Sequence, residues 1–418
     1  MPLTPILRSR FMAMALLCMA VINCDVLWNS RVPMRQGYGD FSTFYTAGTL
    51  LHRGLGAKLY DSAAQWKVQQ EFASQVKTRA GPLFYMRPPF EALLFSVLAR
   101  WPYASALLIW TGLKLALLFS IPFIVVRQKF WKEPFSRWAT ILLILGTFPE
   151  FMDLLMGQDA PLLAFLFAIA FWQLESDRDA VAGLALGLAL FKFQLVIPFV
   201  VMLWIAGRKR VLLGFATSGI AVLAISASVV GWKGLLEYPG YLLALNRATG
   251  VGISPESQIN LRGLLSLLGE HLSSAGRIDW VLAPAALGSM VYTGLLWRKA
   301  GDRILGLAAG FGLATIVAIV TSYYANDYDL LLLIVPLLAL RARIGEAPRL
   351  NRVPRYLELT GLVLLLLAPV YWFARVKLGA ECLMTLPMVS VGAALAVRLR
   401  HAGGQVCEPQ AAVLEGRR

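Results

Sequence analysis

Long apolar runs separated by short polar segments are the most regular pattern in this chain. A helix that crosses a bilayer needs about 20 mostly apolar residues, and several runs reach or approach that length. The runs are solid rather than alternating, which favours membrane helices over the strands of a membrane barrel. The pattern predicts about twelve spanning helices, at residues 11–28, 103–126, 139–156, 160–174, 181–193, 195–206, 211–231, 281–297, 304–320, 329–340, 356–374 and 382–397.

Composition leads to the same conclusion. Of the 418 residues, 58% are hydrophobic and only 15% are charged, whereas soluble proteins average about 45–50% apolar and about 25% charged residues. A water-soluble fold could not bury this much apolar surface. A soluble enzyme, a disordered chain and a nucleic-acid-binding protein are therefore excluded, despite the formal charge of +15. We expect an all-α polytopic membrane protein in which residues 1–418 form one membrane domain.

The basic residues predict the orientation of the chain. With the N-terminus inside, Lys and Arg are more than twice as dense in the inner segments as in the outer ones. Because such residues accumulate in cytoplasmic loops, both termini are expected to be cytoplasmic. The inner segments would be residues 1–10, 127–138, 175–180, 207–210, 298–303, 341–355 and 398–418.

Two outer segments, 29–102 and 232–280, are long enough to have structure of their own. Loops longer than about 15 residues are usually functional or folded. In the first segment we expect helices at Phe41–Arg53 and around Ser62–Val76, lying along the outer membrane face. Pro88–Ala99 is apolar, but it would form only about 18 Å of helix, too short to cross. We interpret it as an interfacial or re-entrant helix.

The sharpest candidate for catalysis is Asp40, in the string GDFSTFY at residues 39–45. A carboxylate at the outer interface suits a general base that faces a membrane-embedded substrate. Asp before a helical run is also a preferred N-terminal cap, so both interpretations stay open on the residues alone.

Further polar residues fall at the outer ends of the predicted helices. Arg87, in YMRPP at residues 85–89, could bind a phosphate through both guanidinium arms, or only contact lipid head groups. Lys192 and Gln194 lie at one outer turn and Gln158 at another. Ionisable residues near the membrane are functional candidates, although snorkelling of the lysine and ordinary turn chemistry are equally simple explanations.

The string SYYANDYD at residues 322–329 combines two acids and three tyrosines. Such a cluster could hydrogen-bond a polyhydroxyl ligand, or it could be an interfacial tyrosine belt. Asn260, in SQINLRG at residues 257–263, could cap a cavity, but a structural role is the simpler reading. The four cysteines lack the spacing of a metal site and suggest no disulfide framework.

Taken together, these strings resemble glycosyltransferase family 87 over residues 38–340. The strings that carry the resemblance are DFSTFYTAG at 40–48, YD at 60–61, YMRPPF at 85–90, GQ at 157–158, FKFQ at 191–194 and YANDYD at 324–329. The family has the GT-C fold and takes its sugar from a polyprenyl-phosphate donor. The resemblance implies a transfer with inversion to an acceptor hydroxyl. We expect no cofactor, and no cluster of metal ligands is visible in the sequence.

The resemblance also implies roles for individual residues. Asp40 would be the general base, and Arg87 and Lys192 would bind the donor phosphate. The partners would be a polyprenyl-phosphate sugar, a glycolipid or glycan acceptor and membrane lipids, with no nucleic acid. The site would face the extracytoplasmic side of a bacterial inner membrane. The expected substrate-binding residues are Tyr45, Tyr85, Gln158, Gln194, Asn260, Tyr324, Asn326, Asp327 and Asp329.

Three departures from the family pattern affect this expectation. Asp159 follows Gly157-Gln158 where the family often has asparagine, and Phe193 follows Lys192 where it often has proline. No histidine lies near Asn326, where some members place one. Asp40 would then act alone or through water. Two other classes remain open at this point, a secondary transporter and a non-catalytic subunit of envelope polysaccharide or glycolipid assembly. A secondary transporter is expected to have paired broken helices in two matching halves, and the sequence pattern shows none.

Overall fold

A computed structural model describes most of the chain, and all regular structure in the described residues is helical. The described residues are 5–76, 81–126, 140–142, 144–247, 255–267, 277–301, 304–342 and 352–404. The predicted inner segment 127–138, most of the inner segment 341–355 and the end of the C-terminal tail lie outside them. So do residues 248–254 and 268–276 of the second outer segment.

The helices follow the predicted apolar runs closely. They are α1 Pro5–Arg35, α2 Phe41–His52, α3 Ser62–Ala73, α4 Glu91–Leu98, α5 Tyr103–Val125, α6 Phe148–Met156, α7 Ala160–Glu175, α8 Asp179–Leu188, α9 Phe193–Ile205, α10 Val211–Arg247, α11 Leu261–Leu267, α12 Arg277–Ala300, α13 Ile304–Thr321, α14 Ile334–Ala342, α15 Arg352–Leu366, α16 Ala368–Trp372 and α17 Thr385–Gly404. Short 3₁₀ turns join several of them, including Ala189–Lys192 and Asp327–Leu333.

In the part of the chain that the structure describes, fewer helices than predicted are long and apolar enough to cross a membrane. Among the described residues five qualify by length and composition, or six if one bent pair counts as a single span. The prediction of an all-helical membrane protein is confirmed, whereas the number of about twelve spans is not. The qualifying helices are Ala13–Arg35, Tyr103–Val125, Asp179–Ile205, Val211–Leu245 and Glu381–Ala402, and the bent pair is Pro354–Leu366 with Ala368–Lys377, at 70°.

The stretch Asp179–Ile205 folds back on itself instead of forming one rod. A straight helix of that length would be about 40 Å long, yet Arg208, just after its end, lies 2.9 Å from Asp179 at its start. The reversal occurs at Lys192, whose φ of −115° and ψ of 55° are not helical. Lys192 therefore stands at the tip of a V formed by α8 and α9, as the two predicted segments 181–193 and 195–206 require.

Helix α10 is interrupted where the predicted span 211–231 ends. Gly231 has φ 74° and ψ 166°, which are not helical values. Only glycine adopts such a conformation readily, because it has no Cβ. The part of α10 after Gly231 leaves the direction of the first part, and Tyr238 and Tyr241 on it contact the first outer segment.

The predicted helices of the first outer segment are present. The stretch Phe41–Arg53 forms α2, the stretch around Ser62–Val76 contains α3, and the apolar stretch Pro88–Ala99 contains α4, of 8 residues. Helices α2 and α4 pack closely: the rings of Phe44 and Phe95 stack with centroids 4.7 Å apart. The short α4 thus helps to fix α2.

The remaining helices bury a second, larger apolar core, and their outer faces carry exposed apolar side chains such as Phe123, Leu213 and Ile220. Exposed apolar faces of this extent mark contact with a membrane or a partner. Lys114, the cation within the predicted span 103–126, is fully buried and lies 2.5 Å from Asp153 of α6. The charge of Lys114 is therefore paired within the membrane-spanning region.

Candidate functional site

Six polar side chains from five separate parts of the chain meet in one place. We call them the polar cluster: Asp40, Arg87, Gln158, Asp159, Lys192 and Asp329. Gln158 lies between the first two, because its Nε2 donates to Asp40 Oδ2 at 2.7 Å and its Oε1 accepts from Arg87 Nη2 at 3.3 Å. This orientation of the amide suits both neighbours, since a carboxylate only accepts and a guanidinium only donates.

Two glycines allow this close approach. A Cβ on Gly39 would lie 2.8 Å from the carbonyl oxygen of Met156, and a Cβ on Gly157 would lie 2.6 Å from Phe41 Cβ. Gly157 also ends α6 with φ 71°, in the left-handed region that glycine favours after a helix. Trp110 holds this turn by donating from Nε1 to the Gly157 carbonyl oxygen at 3.1 Å. The backbone around both glycines thus places the carboxylate beside the amide.

A buried series of alternating charges continues from Arg87. Asp159 lies between two cations, with Oδ2 3.1 Å from Arg87 Nη2 and Oδ1 2.8 Å from Lys192 Nζ. Lys192 Nζ is also 2.5 Å from Asp329 Oδ1. The side chain of Arg87 is 13% exposed, whereas those of the other three are at most 1% exposed. Arg87 is therefore the more accessible of the two cations.

The neighbours of Asp159 keep it ionised. Burial alone would raise the pKa of its carboxyl, but Arg87 and Lys192 together lower that pKa to about 2. Burial also opposes the charge on Arg87, but the carboxylate of Asp159 outweighs it, so that the pKa of the guanidinium is raised. Both groups are therefore charged at neutral pH.

The 324–329 loop closes another side of the polar cluster. Lys192 Nζ lies 4.9 Å from the ring centroid of Tyr328, a cation–π geometry. Asn326 donates from Nδ2 to the Tyr328 hydroxyl, and its backbone N–H donates to Asp329 Oδ2 at 3.0 Å. Burial raises the pKa of Tyr324, and the nearby carboxylate of Asp40 raises it further. The loop thus approaches both the acidic and the basic part of the site.

Asn260 anchors this loop instead of lining the polar cluster. It is fully buried, its Nδ2 donates to the Ser322 carbonyl oxygen at 3.0 Å, and its Oδ1 accepts from the Gly263 N–H at 2.8 Å. Gln258 holds the same loop, since its Oε1 accepts from the Ala325 N–H at 2.9 Å. The second outer segment therefore supports the site indirectly, by holding the backbone of this loop.

Three other expected substrate-binding residues lie outside the polar cluster. The Tyr45 hydroxyl donates to the Trp101 carbonyl oxygen at 2.9 Å, within an aromatic core. Tyr85 is fully buried, and its hydroxyl donates to the Pro88 carbonyl oxygen at 3.2 Å. Asp327 points away toward Arg375, at 4.0 Å.

Gln194 is at the first turn of α9, two residues after Lys192, and is half-buried. Of the expected site residues, the structure brings Asp40, Arg87, Gln158, Lys192 and Asp329 together. Asn326 contacts the last of them, and Tyr324 approaches the first.

Glu91 is a buried acid beside the site that the sequence pattern did not single out. Its Oε2 accepts from the Tyr85 hydroxyl at 3.3 Å. Burial raises its pKa well above the usual value, and the adjacent charge of Asp159 raises it further, so that Glu91 is held neutral. The available signal was an acid in the first turn of the apolar stretch Pro88–Ala99, because ionisable residues in such stretches are expensive.

The structure bears on whether Asp40 acts only as a helix cap. It occupies the position before α2, but its φ of −67° and ψ of −19° are helical and its side chain makes no capping hydrogen bond. A capping side chain would accept from an N–H two or three residues later. The carboxylate instead accepts from Gln158. The geometry favours a role directed at the site.

The arrangement places a half-buried carboxylate close to a partly exposed guanidinium, with one amide linking them. A carboxylate can accept a proton from a hydroxyl, and a guanidinium can hold an anionic oxygen. Among the described residues, no group of three or more His, Cys, Asp or Glu side chains is arranged to hold a metal ion.

Among the comparisons with known proteins, the one with protein-family models agrees with the sequence pattern. The family model described as glycosyltransferase family 87 matches residues 85–322, more than half of the chain. The matched stretch includes Arg87, Gln158 and Lys192, whereas Asp40 precedes it and Asp329 follows it. Searches among curated proteins and among solved structures gave no match. On the extent of the family match, this chain belongs to glycosyltransferase family 87.

Proposed function

We propose that this membrane glycosyltransferase moves a sugar from a polyprenyl-phosphate donor to the hydroxyl of a glycolipid or glycan acceptor. The proposal includes a GT-C fold and a site on the extracytoplasmic side of a bacterial inner membrane. The observation that carries it is the link from Asp40 through Gln158 to Arg87, because it sets a proton acceptor near an anion-binding cation.

In the proposed reaction Asp40 removes the proton from the acceptor hydroxyl. The acceptor oxygen forms a bond to the anomeric carbon from the face opposite the phosphate, which inverts the configuration. The bond between the anomeric carbon and the phosphate oxygen breaks, and its electron pair stays on that oxygen. Polyprenyl phosphate leaves with one more negative charge than it carried in the donor.

Arg87 is the residue best placed to meet that charge. Preorganised donors aimed at charge that develops in the transition state contribute the most to such reactions. The guanidinium is already oriented by Asp159 and Gln158, and 13% of its side chain remains exposed. Lys192, by contrast, is enclosed between Asp159 and Asp329. We propose that it adds positive potential near the phosphate and holds these two carboxylates in place.

The sugar of the donor would lie between Asp40 and the 324–329 loop. Tyr324 and Asn326 offer a hydroxyl and an amide on that side. Gln158 would keep the Asp40 carboxylate turned toward the acceptor, since one carboxylate oxygen is occupied by the amide. In this arrangement the fully buried ion pair of Lys192 and Asp329 would not contact the substrates but would stabilise the residues that do.

The test is transfer or hydrolysis with a panel of radiolabelled polyprenyl-phosphate sugars, comparing the wild type with Asp40→Asn in detergent or proteoliposomes. We expect turnover to fall by about 10²–10⁴-fold, the usual contribution of general acid–base catalysis. The apparent melting temperature should stay the same, because the side-chain oxygen of Asn can still accept from Gln158 and no capping hydrogen bond is lost.

Wild-type turnover by Asp40→Asn would remove Asp40 from the mechanism. Absence of turnover with every donor, by folded wild-type protein, would contradict the proposed donor class. A solute transporter would instead show counterflow of a labelled solute in proteoliposomes, and an assembly subunit would bind the lipid without turning it over.

A further inference from the structure

Beyond the residues that would touch the substrate, the geometry points to a set of tyrosine hydroxyls that positions Arg87. We infer that Tyr60, Tyr238 and Tyr241 hold the backbone of residues 85–87 in place. They thereby fix the position of the Arg87 guanidinium in the polar cluster. This inference rests on the proposed role of Arg87.

Four consecutive carbonyl groups accept hydrogen bonds from tyrosine hydroxyls. Tyr241 donates to the carbonyl oxygen of residue 85 at 3.2 Å, Tyr238 to that of residue 86 at 2.8 Å, and Tyr60 to that of Arg87 at 2.8 Å. The hydroxyl of Tyr85 donates to the carbonyl oxygen of residue 88 at 3.2 Å. We call Tyr60, Tyr238 and Tyr241 the tyrosine clamp.

Residues 85–88 need such partners because they lie in neither a helix nor a strand. Pro88 and Pro89 lack a backbone N–H, and the residue before a proline is driven toward extended conformations. Glutamines of α3 satisfy the preceding N–H groups, since Gln65 accepts from the Tyr85 N–H and Gln69 from the Leu83 N–H, both at 3.0 Å. Side chains thus replace secondary structure along the segment.

The three clamp residues come from two elements that are far apart in the chain. Tyr60 lies before α3, whereas Tyr238 and Tyr241 lie on α10 beyond the break at Gly231. Their rings pack together, with the Tyr60 centroid 5.1 Å from that of Tyr238 and 4.8 Å from that of Tyr241. The break in α10 therefore directs two of its tyrosines onto the arginine segment.

The hydroxyls of the clamp also remain donors at working pH. Burial raises the pKa of Tyr60 above its usual value, with smaller contributions from Tyr238 and Tyr241. A neutral hydroxyl is the form that can donate to a carbonyl. The guanidinium of Arg87 is further oriented by its contacts with Asp159 and Gln158, at 3.1 and 3.3 Å. A displaced backbone would lengthen both contacts.

The function of the clamp follows from the sensitivity of catalysis to geometry. A misplacement of about 1 Å, even from a mutation away from the chemistry, can cost about 10²-fold in rate. Removing one clamp hydroxyl leaves two others, so a smaller loss is expected. Tyr60, Tyr238 and Tyr241 are positioning residues, because they act through Arg87 and touch no reacting atom.

The test is a double-mutant cycle between Tyr60→Phe and Arg87→Met in the full-length protein. Two quantities are measured: turnover of the donor found active in the panel, and the dissociation constant of polyprenyl phosphate. We expect Tyr60→Phe to lower turnover about tenfold in the wild type, and to weaken binding of polyprenyl phosphate. In the Arg87→Met background, it should change each quantity by less than about twofold, because the coupled group is gone.

The control is Tyr292→Phe, which removes a hydroxyl that accepts from Arg400 at 2.6 Å, far from Arg87 in the chain. It should leave turnover unchanged in both backgrounds. Equal losses from Tyr60→Phe in both backgrounds would overturn the inference and indicate a general stabilising role. If Arg87→Met itself kept wild-type turnover and binding, the proposed role of Arg87 would fail instead, so the two failures are distinguishable.

Discussion

Gln158 donates a hydrogen bond of 2.7 Å to Asp40, although the two residues lie 118 positions apart. The amide also accepts from Arg87, so that one side chain connects the proposed base with the proposed phosphate-binding residue. A neutral amide suits this position because it can donate to one neighbour and accept from the other.

Replacing Gln158 by Glu should raise the pKa of Asp40, because a second carboxylate beside it disfavours the charged form. The acidic limb of the pH–rate profile should then move to higher pH, since the base must be ionised to accept a proton. The measurement is turnover against pH for the wild type, Gln158→Glu and Gln158→Met. The methionine variant removes the amide without adding charge, so its turnover should fall without that upward shift. If the acidic limb of the pH–rate profile were unchanged in Gln158→Glu, Asp40 would not be the base whose ionisation limits turnover at low pH.

Lys192→Met should destabilise the protein strongly. The change leaves Asp159 and Asp329 buried without the cation between them, and breaking a buried ion pair costs about 3–5 kcal/mol. The apparent melting temperature in detergent micelles reports this loss. The double variant Lys192→Met with Asp329→Asn should recover part of the stability, because it removes the charge of Asp329, whereas Asp159 keeps Arg87 as a partner. No recovery would mean that packing of the lysine stem, and not charge, is the larger contribution.

Gly157→Ala should impair both folding and transfer. The added Cβ would lie 2.6 Å from Phe41 Cβ, and the positive φ of 71° disfavours any residue with a Cβ by about 1–2 kcal/mol. Gly54→Ala is a matched control, since its φ is 72° and no atom lies within 4 Å of its added Cβ. The control should lose similar stability from the backbone but keep its turnover. Equal turnover in the two variants would show that the approach of α2 to the 157–158 turn is unimportant.

Asp327 should make stability depend on pH. Burial, and then the nearby Glu381, raise the pKa of its carboxyl to about 7, above an unfolded value of about 3.9. The folded state therefore holds the proton more tightly, and stability falls as pH rises from about 4 to about 7. Melting temperatures across that range should fall less steeply in Asp327→Asn, which cannot titrate. An identical slope in both proteins would contradict the raised pKa.

The sequence pattern predicted much of the local structure. The apolar run 103–126 became α5, the run 160–174 became α7, and the run 211–231 ends at the break in α10. Even the short stretch Pro88–Ala99 contains a helix. These features depend on apolar runs and on glycine positions, and both can be recognised within one short stretch of the sequence. The predicted number of about twelve spans is not confirmed, because whether a short helix crosses depends on how it bends and packs.

The site was predictable only in part. The strings of the family resemblance included Asp40, Arg87, Gln158 and Lys192, all of which the structure brings together. Tyr45 and Tyr85 occur in equally suggestive strings, yet both are buried in an aromatic core. Their hydroxyls bond to backbone carbonyls that only the tertiary fold supplies. Glu91, by contrast, lies beside the site but was not predicted, because it is a lone acid in an apolar stretch.

By itself, the sequence determined that the chain is a helical membrane protein of glycosyltransferase family 87, because apolarity, helical length and short family strings are local properties. The tertiary structure alone decided which charges neutralise each other. Lys192 pairs with Asp329, 137 positions away, and with Asp159. A buried charge must find a partner wherever packing brings one, and nothing near Lys192 in the chain identifies that partner. The same packing places Asp40 against Gln158, through two glycines whose role appears only when the backbones meet.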